Sequence, residues 1–123
     1  ALNRYKNSFN SYPLDRLAQA GAVASLQDND YFVACNQKVI ALRHDVTQAL
    51  TQLGFTVLPS QANFVFAKPP ASMGETIQVF EKLRAQGVIV RHFNKPKISS
   101  YLRITIGTAE QNQRLLDTLT NLV

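Results

Sequence analysis

Seven apolar residues in the first half of the chain recur at alternating spacings of three and four. They are Phe32, Cys35, Val39, Leu42, Val46, Ala49 and Leu53. This spacing places them on one stripe of a long α-helix, and Gly54 follows as a residue suited to end it. A coiled coil has a similar pattern, but a single helix of this length more often lies on a sheet. The chain is therefore expected to need a sheet beside this helix.

The rest of the chain supplies further helices and short strands. Small and apolar residues at 14–26 predict a helix, and residues 1–12 read as an entry loop. Strands are predicted at 55–58, 63–67, 88–90 and 101–106, where β-branched and aromatic residues cluster. The pairs Ser72 with Glu75 and Thr108 with Gln111 have capping-box spacing, so two more helices are predicted after them. Ile77, Phe80 and Leu83 would form the buried side of the first of these.

The order of these elements predicts an α+β fold with a small, mainly antiparallel sheet covered by helices on one face. Strict alternation of strand and helix, as in a doubly wound sheet, is not seen. A right-handed crossover would make the strands at residues 63 and 88 parallel with a gap between them. The strand at residue 101 is expected to fill that gap, antiparallel to both.

Composition and charge exclude several classes of protein. With 123 residues, 46% hydrophobic and 17% charged, the chain fits one ordinary globular domain. A single cysteine, Cys35, excludes an internal disulfide and a cysteine-rich zinc site, and fits a cytoplasmic protein. Its spacing suggests packing. The net charge of +5 is scattered, and no stretch is apolar enough to span a bilayer, so neither a nucleic acid nor a membrane partner is expected.

No metal site is expected either, because His44 and His92 lack a ligand pattern. His44 lies in a charged helical run and reads as solvated, whereas His92, beside Arg91, is harder to dismiss. Asn63 reads as a residue that starts a strand by bonding local backbone.

Two arginines, Arg91 and Arg103, stand beside buried-looking strands rather than in charged surface runs. A guanidinium group at a strand end can bind a carboxylate or phosphate with two hydrogen bonds in fixed geometry. A structural salt bridge to Asp or Glu explains such arginines equally well. From the pattern alone, both interpretations stay open.

Four segments together resemble successive landmarks of the histidinol-phosphate aminotransferases, which are fold-type I pyridoxal-phosphate-dependent enzymes. They are residues 7–15 (NSFNSYPLD), 59–66 (PSQANFVF), 87–91 (GVIVR) and 101–107 (YLRITIG). They occur in the family's order and span nearly the whole chain. The chain resembles the C-terminal small domain of such an enzyme, with residues 13–123 as that domain and residues 1–12 as its entry loop from a large domain of the same chain.

The resemblance implies a homodimeric, cytoplasmic enzyme of histidine biosynthesis that transfers an amino group between histidinol phosphate and 2-oxoglutarate, with glutamate as the paired amino acid. It implies that Arg103, in its Leu-Arg-Ile-Thr setting, binds the anionic end of the substrate. It also implies that Arg91 helps to hold the substrate phosphate. No catalytic residue is expected within this chain.

The cofactor machinery of the family does not appear in these residues. None of the six lysines, at positions 6, 38, 68, 82, 95 and 97, lies in the family's cofactor-lysine motif. The aspartate that pairs with the pyridine nitrogen and the aromatic that stacks on the ring are also missing. The chain begins at Ala1 and has Met73 as its only methionine, so processing or truncation is expected, and the fragment alone should be inactive and bind no cofactor.

Two other functions are compatible with the sequence. One is the small domain of a related fold-type I enzyme, such as a threonine-phosphate decarboxylase or an aromatic aminotransferase. The other is a stand-alone α+β binding module, which a basic charge and the strand aromatics Phe64, Phe66 and Tyr101 would suit. Alternating strand aromatics are more often core residues, and no basic and aromatic RNA-binding signature is present.

Overall fold

The computed structural model describes residues 2–6 and 14–122, which fall into two compact units, residues 1–35 and 36–123. Five helices are described: α1 (Leu2–Lys6), α2 (Arg16–Gln27), α3 (Asn29–Gln52), α4 (Thr76–Ala85) and α5 (Ala109–Thr120). Four strands are described: β1 (Thr56–Val57), β2 (Phe64–Lys68), β3 (Arg91–His92) and β4 (Leu102–Thr105). No helix in this part of the chain combines the length and apolar character needed to cross a bilayer.

The first unit contains α1, α2 and the start of α3. Asp15 caps α2 by accepting a hydrogen bond of 2.8 Å from the backbone N–H of Ala18, which satisfies one of the free donors of the first turn. The break before α3 is a single residue, Asp28, whose N–H donates to Ala24 and whose carboxylate accepts from Tyr31. The predicted helix at 14–26 is confirmed, but no residue of α2 is buried, so the close packing expected of it is absent within this unit.

Residues 2–6 differ from the sequence-based expectation, which gave a loop over residues 1–12. They form one helical turn, α1, because Leu, Arg and Lys all favour helix and no Gly or Pro interrupts them. The remainder of the predicted loop, together with the first of the four landmark segments up to Pro13, lies outside the described residues.

The second unit is built on a sheet with strand order β1-β2-β4-β3, in which every neighbouring pair is antiparallel. The predicted α+β class is therefore confirmed, and β4 fills the gap between β2 and β3 as expected. One face of the sheet joins α3, α4 and α5 in a single core. Its fully buried members include Val46, Leu50, Val65, Val79, Leu83, Leu102, Ile104 and Leu119.

Two glycines end helices in the same manner. After α3, Gly54 has φ +85°, its N–H donates to Thr51, and the N–H of Phe55 donates to Leu50. After α4, Gly87 has φ +73° with the equivalent bonds from Gly87 to Arg84 and from Val88 to Leu83. A side chain is unfavourable at such φ values, so glycine at these two positions sets where each helix stops.

One predicted capping box is confirmed and the other is wrong. Thr108 accepts from the backbone of Gln111, and the Gln111 side chain accepts from the Thr108 N–H, as the spacing predicts for α5. Ser72 does not cap α4, because residues 71–73 form a separate 3-10 turn and Gly74 follows at φ +90°. The helix begins instead at Thr76, where Gln78 accepts from the Glu75 N–H. Its buried face is Val79 and Leu83, whereas Ile77 is exposed.

The predicted buried strand at 88–90 is also wrong, since the ladder with β4 begins only at Arg91. The N–H of Val88 is already used to close the end of α4, so the chain reaches the sheet three residues later than its β-branched run suggests. Ile89 is 77% exposed. Arg91 is therefore a residue of the ladder rather than a residue following a strand.

Candidate functional site

The ladder places the two predicted site arginines on neighbouring strands, directly opposite each other. Arg91 of β3 pairs with Arg103 of β4, and Arg103 pairs on its other side with Phe66 of β2. Residues that pair directly in antiparallel strands share a face of the sheet. The row Phe66, Arg103 and Arg91 thus lies on the face opposite the apolar core, which we call the arginine face.

Aromatic rings surround both guanidinium groups. The Arg103 guanidinium carbon lies 5.4 Å from the ring centre of Phe64 and 5.7 Å from that of Phe93. The Arg91 guanidinium carbon lies 5.0 Å from the same Phe93 ring. These distances are within the range of cation–π attraction. Arg103 is half-buried among these rings, whereas Arg91 is exposed.

One polar atom on this face is left without a partner. The Nε of Arg103 is buried and has no hydrogen-bond partner among the described residues. Burying a charged donor without a partner costs free energy, so such a group in a folded protein calls for an explanation such as an unfilled binding site. The rings supply attraction to the charge but no acceptor atom for this N–H.

The aromatic residues form a cluster of their own. Phe66 lies edge-on to Phe64 at 5.9 Å and to Tyr101 at 6.4 Å, and it stacks with Phe93 at 6.3 Å. The sequence suggested Phe64, Phe66 and Tyr101 as strand aromatics but overlooked Phe93. Phe93 follows Arg91 by two residues, so the strand period of two would have indicated that both side chains point the same way.

An open cavity of about 400 Å³ lies along the β3 edge of the sheet and is lined by Arg91 and Arg103 together with Ile89 and Thr105. This volume is within the range of sites for small ligands. Two guanidinium groups at one cavity provide charge and paired donors for a carboxylate or a phosphate. Chemically, the arrangement can bind and orient an anion.

The two histidines lie outside this row, although His92 lines the same cavity as the arginines. His44 is exposed on α3, as its charged surroundings predict. His92 pairs with Leu102 in the ladder, and its Nε2 lies 2.7 Å from the backbone oxygen of Ser99. In the described part of the chain, no three His, Cys, Asp or Glu side chains meet as a metal site would require.

Asn63 starts its strand differently from the prediction. The bonds between side chain and local backbone at this strand entry belong to Ser60, whose hydroxyl donates to Phe64 and accepts from Ala62. Asn63 contributes its backbone oxygen, which accepts from the N–H of Ile106 at 2.8 Å. Ser60, four residues before the first residue of β2, was the better candidate for this turn.

Cys35 is half-buried in the first unit, one helical turn after Tyr31. A hydrogen bond with Cys35 raises the pKa of Tyr31 above its ordinary value. The contact described for this cysteine is therefore a polar one along the helix, and Cys35 is not among the residues of the apolar core.

The lysines whose side chains the structure describes do not fit a Schiff-base site for pyridoxal phosphate. The five whose side chains are described are all exposed: Lys38, Lys68, Lys82, Lys95 and Lys97. A Schiff-base lysine is activated by desolvation in a pocket or by a neighbouring cation in a closed site. The five described lysines therefore lack the surroundings that a Schiff-base lysine needs.

Residues 1–119 match the family model for aminotransferase class I and II, and the chain belongs to that family. Because the chain belongs to this family, the alternative prediction of an unrelated stand-alone binding module is wrong. Two similar curated proteins are histidinol-phosphate aminotransferase 2 of Psychrobacter arcticus, 61% identical over 97% of this chain, and histidinol-phosphate aminotransferase of Acinetobacter baylyi, 56% identical over 97%. The chain spans about a third of the length of these relatives, 31% and 32% respectively.

Solved structures share the fold. A histidinol-phosphate aminotransferase from Clostridium acetobutylicum superposes on 95% of this chain and 36% of its own, with a TM-score of 0.80 at 21% identity. A putative aminotransferase from Burkholderia pseudomallei covers 80% of this chain and 29% of its own, with a TM-score of 0.69 at 31% identity. The small antiparallel sheet with its helices is thus a part of the fold-type I aminotransferase architecture.

Proposed function

We propose that this chain is the substrate-binding C-terminal small domain of a histidinol-phosphate aminotransferase. The whole enzyme would transfer an amino group between histidinol phosphate and 2-oxoglutarate, with glutamate as the paired amino acid. The proposal draws on the names of the similar proteins at 56–61% identity and on the arginine face. A threonine-phosphate decarboxylase or an aromatic aminotransferase is the runner-up, but none of the relatives described above carries such a name.

The observation that carries the proposal is the unpartnered Nε of Arg103. Arg103 also lines the open cavity at the β3 edge, and an anion that reached this buried N–H would remove the cost of leaving it unpaired. Arg103 would therefore bind the anionic group of either substrate. Arg91, opposite it and exposed, would add a second guanidinium for the phosphate of histidinol phosphate.

The cofactor and the rest of the active site would come from a large domain. When bound, pyridoxal phosphate supplies the electron sink of the reaction. The described lysines are exposed and are not expected to hold it, so the chain by itself is expected to be inactive. Residues 13–123 would form the small domain, with residues 36–123 as its compact body, and residues 1–12 would connect it to the large domain.

A partner surface for that large domain is offered by α2. Leu17 and Leu26 are 85% and 83% exposed, which is unusual for leucines in a helix with so few charges. The part of the relatives that this chain does not cover is twice its length and would supply a cover for this surface. The full-length protein is proposed to be a homodimer in the cytoplasm.

The test is Arg103→Ala in the full-length protein. Removing a guanidinium that binds the shared anionic group should lower kcat/KM for both glutamate and histidinol phosphate by about 30-fold or more, which corresponds to roughly 2 to 5 kcal/mol. Steady-state kinetics with each substrate measures this. Unchanged values for both would assign Arg103 a purely structural part and remove the main support for the proposal.

A further inference from the structure

The side chain that joins the two arginines is Phe93. Its ring lies 5.0 Å from the Arg91 guanidinium carbon and 5.7 Å from that of Arg103, so a single ring contacts both cations. Two like charges directly opposite each other on neighbouring strands repel. An aromatic ring attracts each cation by its quadrupole, which offsets part of that repulsion without supplying an anion.

The position of Phe93 is held from two sides. Its ring stacks on Phe66, which lies in the same row as the arginines, at 6.3 Å and 29° between ring planes. Its backbone oxygen accepts from the N–H of Lys95, which closes the first turn of the loop that connects β3 to β4. The Phe93 ring therefore packs against Phe66, and its backbone is constrained by the bond to Lys95.

The loop that follows Phe93 is held at its C-terminal end by two polar contacts. His92 Nε2 lies 2.7 Å from the Ser99 backbone oxygen, and the Thr76 hydroxyl donates to the Ser100 oxygen at 3.1 Å. These bonds tie the loop to β3 and to α4. A loop that is fixed in this manner can hold a ring in one place before any ligand arrives, and preorganisation of this kind lowers the cost of binding.

We infer that Phe93 is a positioning residue that sets the arrangement of the Arg91 and Arg103 guanidinium groups for a phosphate-bearing substrate. This inference rests on the proposed function. Arg91 is exposed and carries a long flexible side chain, so without the ring it gains rotamer freedom that binding must remove again. Arg103 keeps a second ring, Phe64, at 5.4 Å, so its own placement depends less on Phe93.

Two consequences separate this role from a general packing role. Substrate affinity should fall more for histidinol phosphate, whose phosphate offers more charge and more acceptor oxygens to two guanidinium groups, than for glutamate. The turnover number should change little, because Phe93 acts through the arginines and does not touch the reacting atoms. A residue that merely stabilised the fold would show neither pattern.

The experiment compares Phe93→Leu with Phe93→Tyr in the full-length protein. Leucine keeps an apolar side chain but removes the ring, and KM for histidinol phosphate should rise about fivefold, equivalent to about 1 kcal/mol. KM for glutamate should rise by about twofold or less, and kcat should stay within about twofold. Tyrosine keeps the ring, so its KM values should remain near those of the parent protein. Phe93→Met repeats the measurement with a second side chain that lacks a ring.

Phe55→Leu is the matched control, since it makes the same exchange in the core, at a residue 3% exposed and away from the arginine face. It should lower the melting temperature and leave both KM values unchanged. If Phe93→Leu and Phe93→Met leave KM for histidinol phosphate unchanged while Arg103→Ala weakens both substrates, the inference about Phe93 is wrong and the proposed function stands. If Phe93→Tyr loses as much as Phe93→Leu, the ring is not what matters and the inference is again wrong. If Arg103→Ala changes neither substrate, the proposed function itself fails.

Discussion

The two faces of strands β2 and β4 differ in almost every respect, although they are made by alternate residues of the same nine positions. Toward the helices the strands present Val65, Ala67, Leu102 and Ile104, none more than 2% exposed. The other face presents the arginine row, with Arg103 among aromatic rings. Because side chains alternate between faces, one short ladder supports both a packed core and an open, positively charged surface.

The difference also shows in how well polar groups are satisfied. The core face of these strands carries only apolar side chains, so burial there costs no hydrogen bond. The arginine face keeps a buried, unpartnered N–H on Arg103, which lowers the stability of the ligand-free protein. Such a group is expected where binding, rather than packing, determines the residue. Substitutions on the two faces should therefore affect different measurements.

The largest effect on stability is expected on the core face. Leu102 is fully buried, and Leu102→Ala should lower the free energy of local opening by about 2 to 5 kcal/mol, through lost apolar burial and the cavity left behind. Hydrogen exchange of the β2 and β4 amides in the full-length protein measures this opening. Thr105→Ala, on the exposed face of the same strand, is the control and should change it by no more than about 0.5 kcal/mol. If Leu102→Ala and Thr105→Ala lowered the opening free energy equally, the core face would contribute no more to stability than the other face, and the contrast between the faces would be wrong.

A smaller effect, on kcat/KM and selective for histidinol phosphate, is expected from a substitution at Arg91. In the full-length protein, Arg91→Ala should lower kcat/KM for histidinol phosphate by about tenfold, as for one charge-assisted hydrogen bond worth about 1.5 kcal/mol, and should change that for glutamate much less. Steady-state kinetics with the two substrates gives the ratio. Equal losses would indicate a shared site or damaged folding, and no loss with histidinol phosphate would leave the phosphate without its proposed second partner.

The smallest effect concerns stability at Arg103 itself. Arg103→Met removes the unpartnered N–H together with two cation–π contacts, and these contributions oppose each other. Amide exchange in β4 should therefore change by no more than about 1 kcal/mol in opening free energy, although the same residue is expected to dominate substrate binding. A loss as large as that of Leu102→Ala would make Arg103 a structural residue and would contradict the contrast between the faces.

Much of the fold could be predicted because local chemistry determines it. The stripe from Phe32 to Leu53 predicted α3, Gly54 predicted its end, and the Thr108 capping box predicted the start of α5. The failures share a cause, since Ser72 and the run at 88–90 each matched a local pattern that a nearby glycine-ended turn overrode. Gly74 between Ser72 and Glu75 was the available signal for the first of these.

The candidate site could be predicted only in part. Arg91 and Arg103 were selected because each stood beside an apolar run, and the structure brings them into one row. Their use in binding stays a proposal. Phe93 was overlooked, because the strand was expected to end before Arg91 and the residues after it were assigned to a loop.

By itself, the sequence determined which residues are apolar at helical or strand spacing, where most helices stop, and that two arginines stand beside apolar runs. These features depend on residues within a few positions of each other. Only the tertiary structure decided that β3 begins at Arg91, that Arg91 lies opposite Arg103, and that the Phe93 ring lies within cation–π distance of both guanidinium groups. Strand register depends on pairing between segments far apart in the chain, and a shift of one residue would turn every side chain of β3 to the other face.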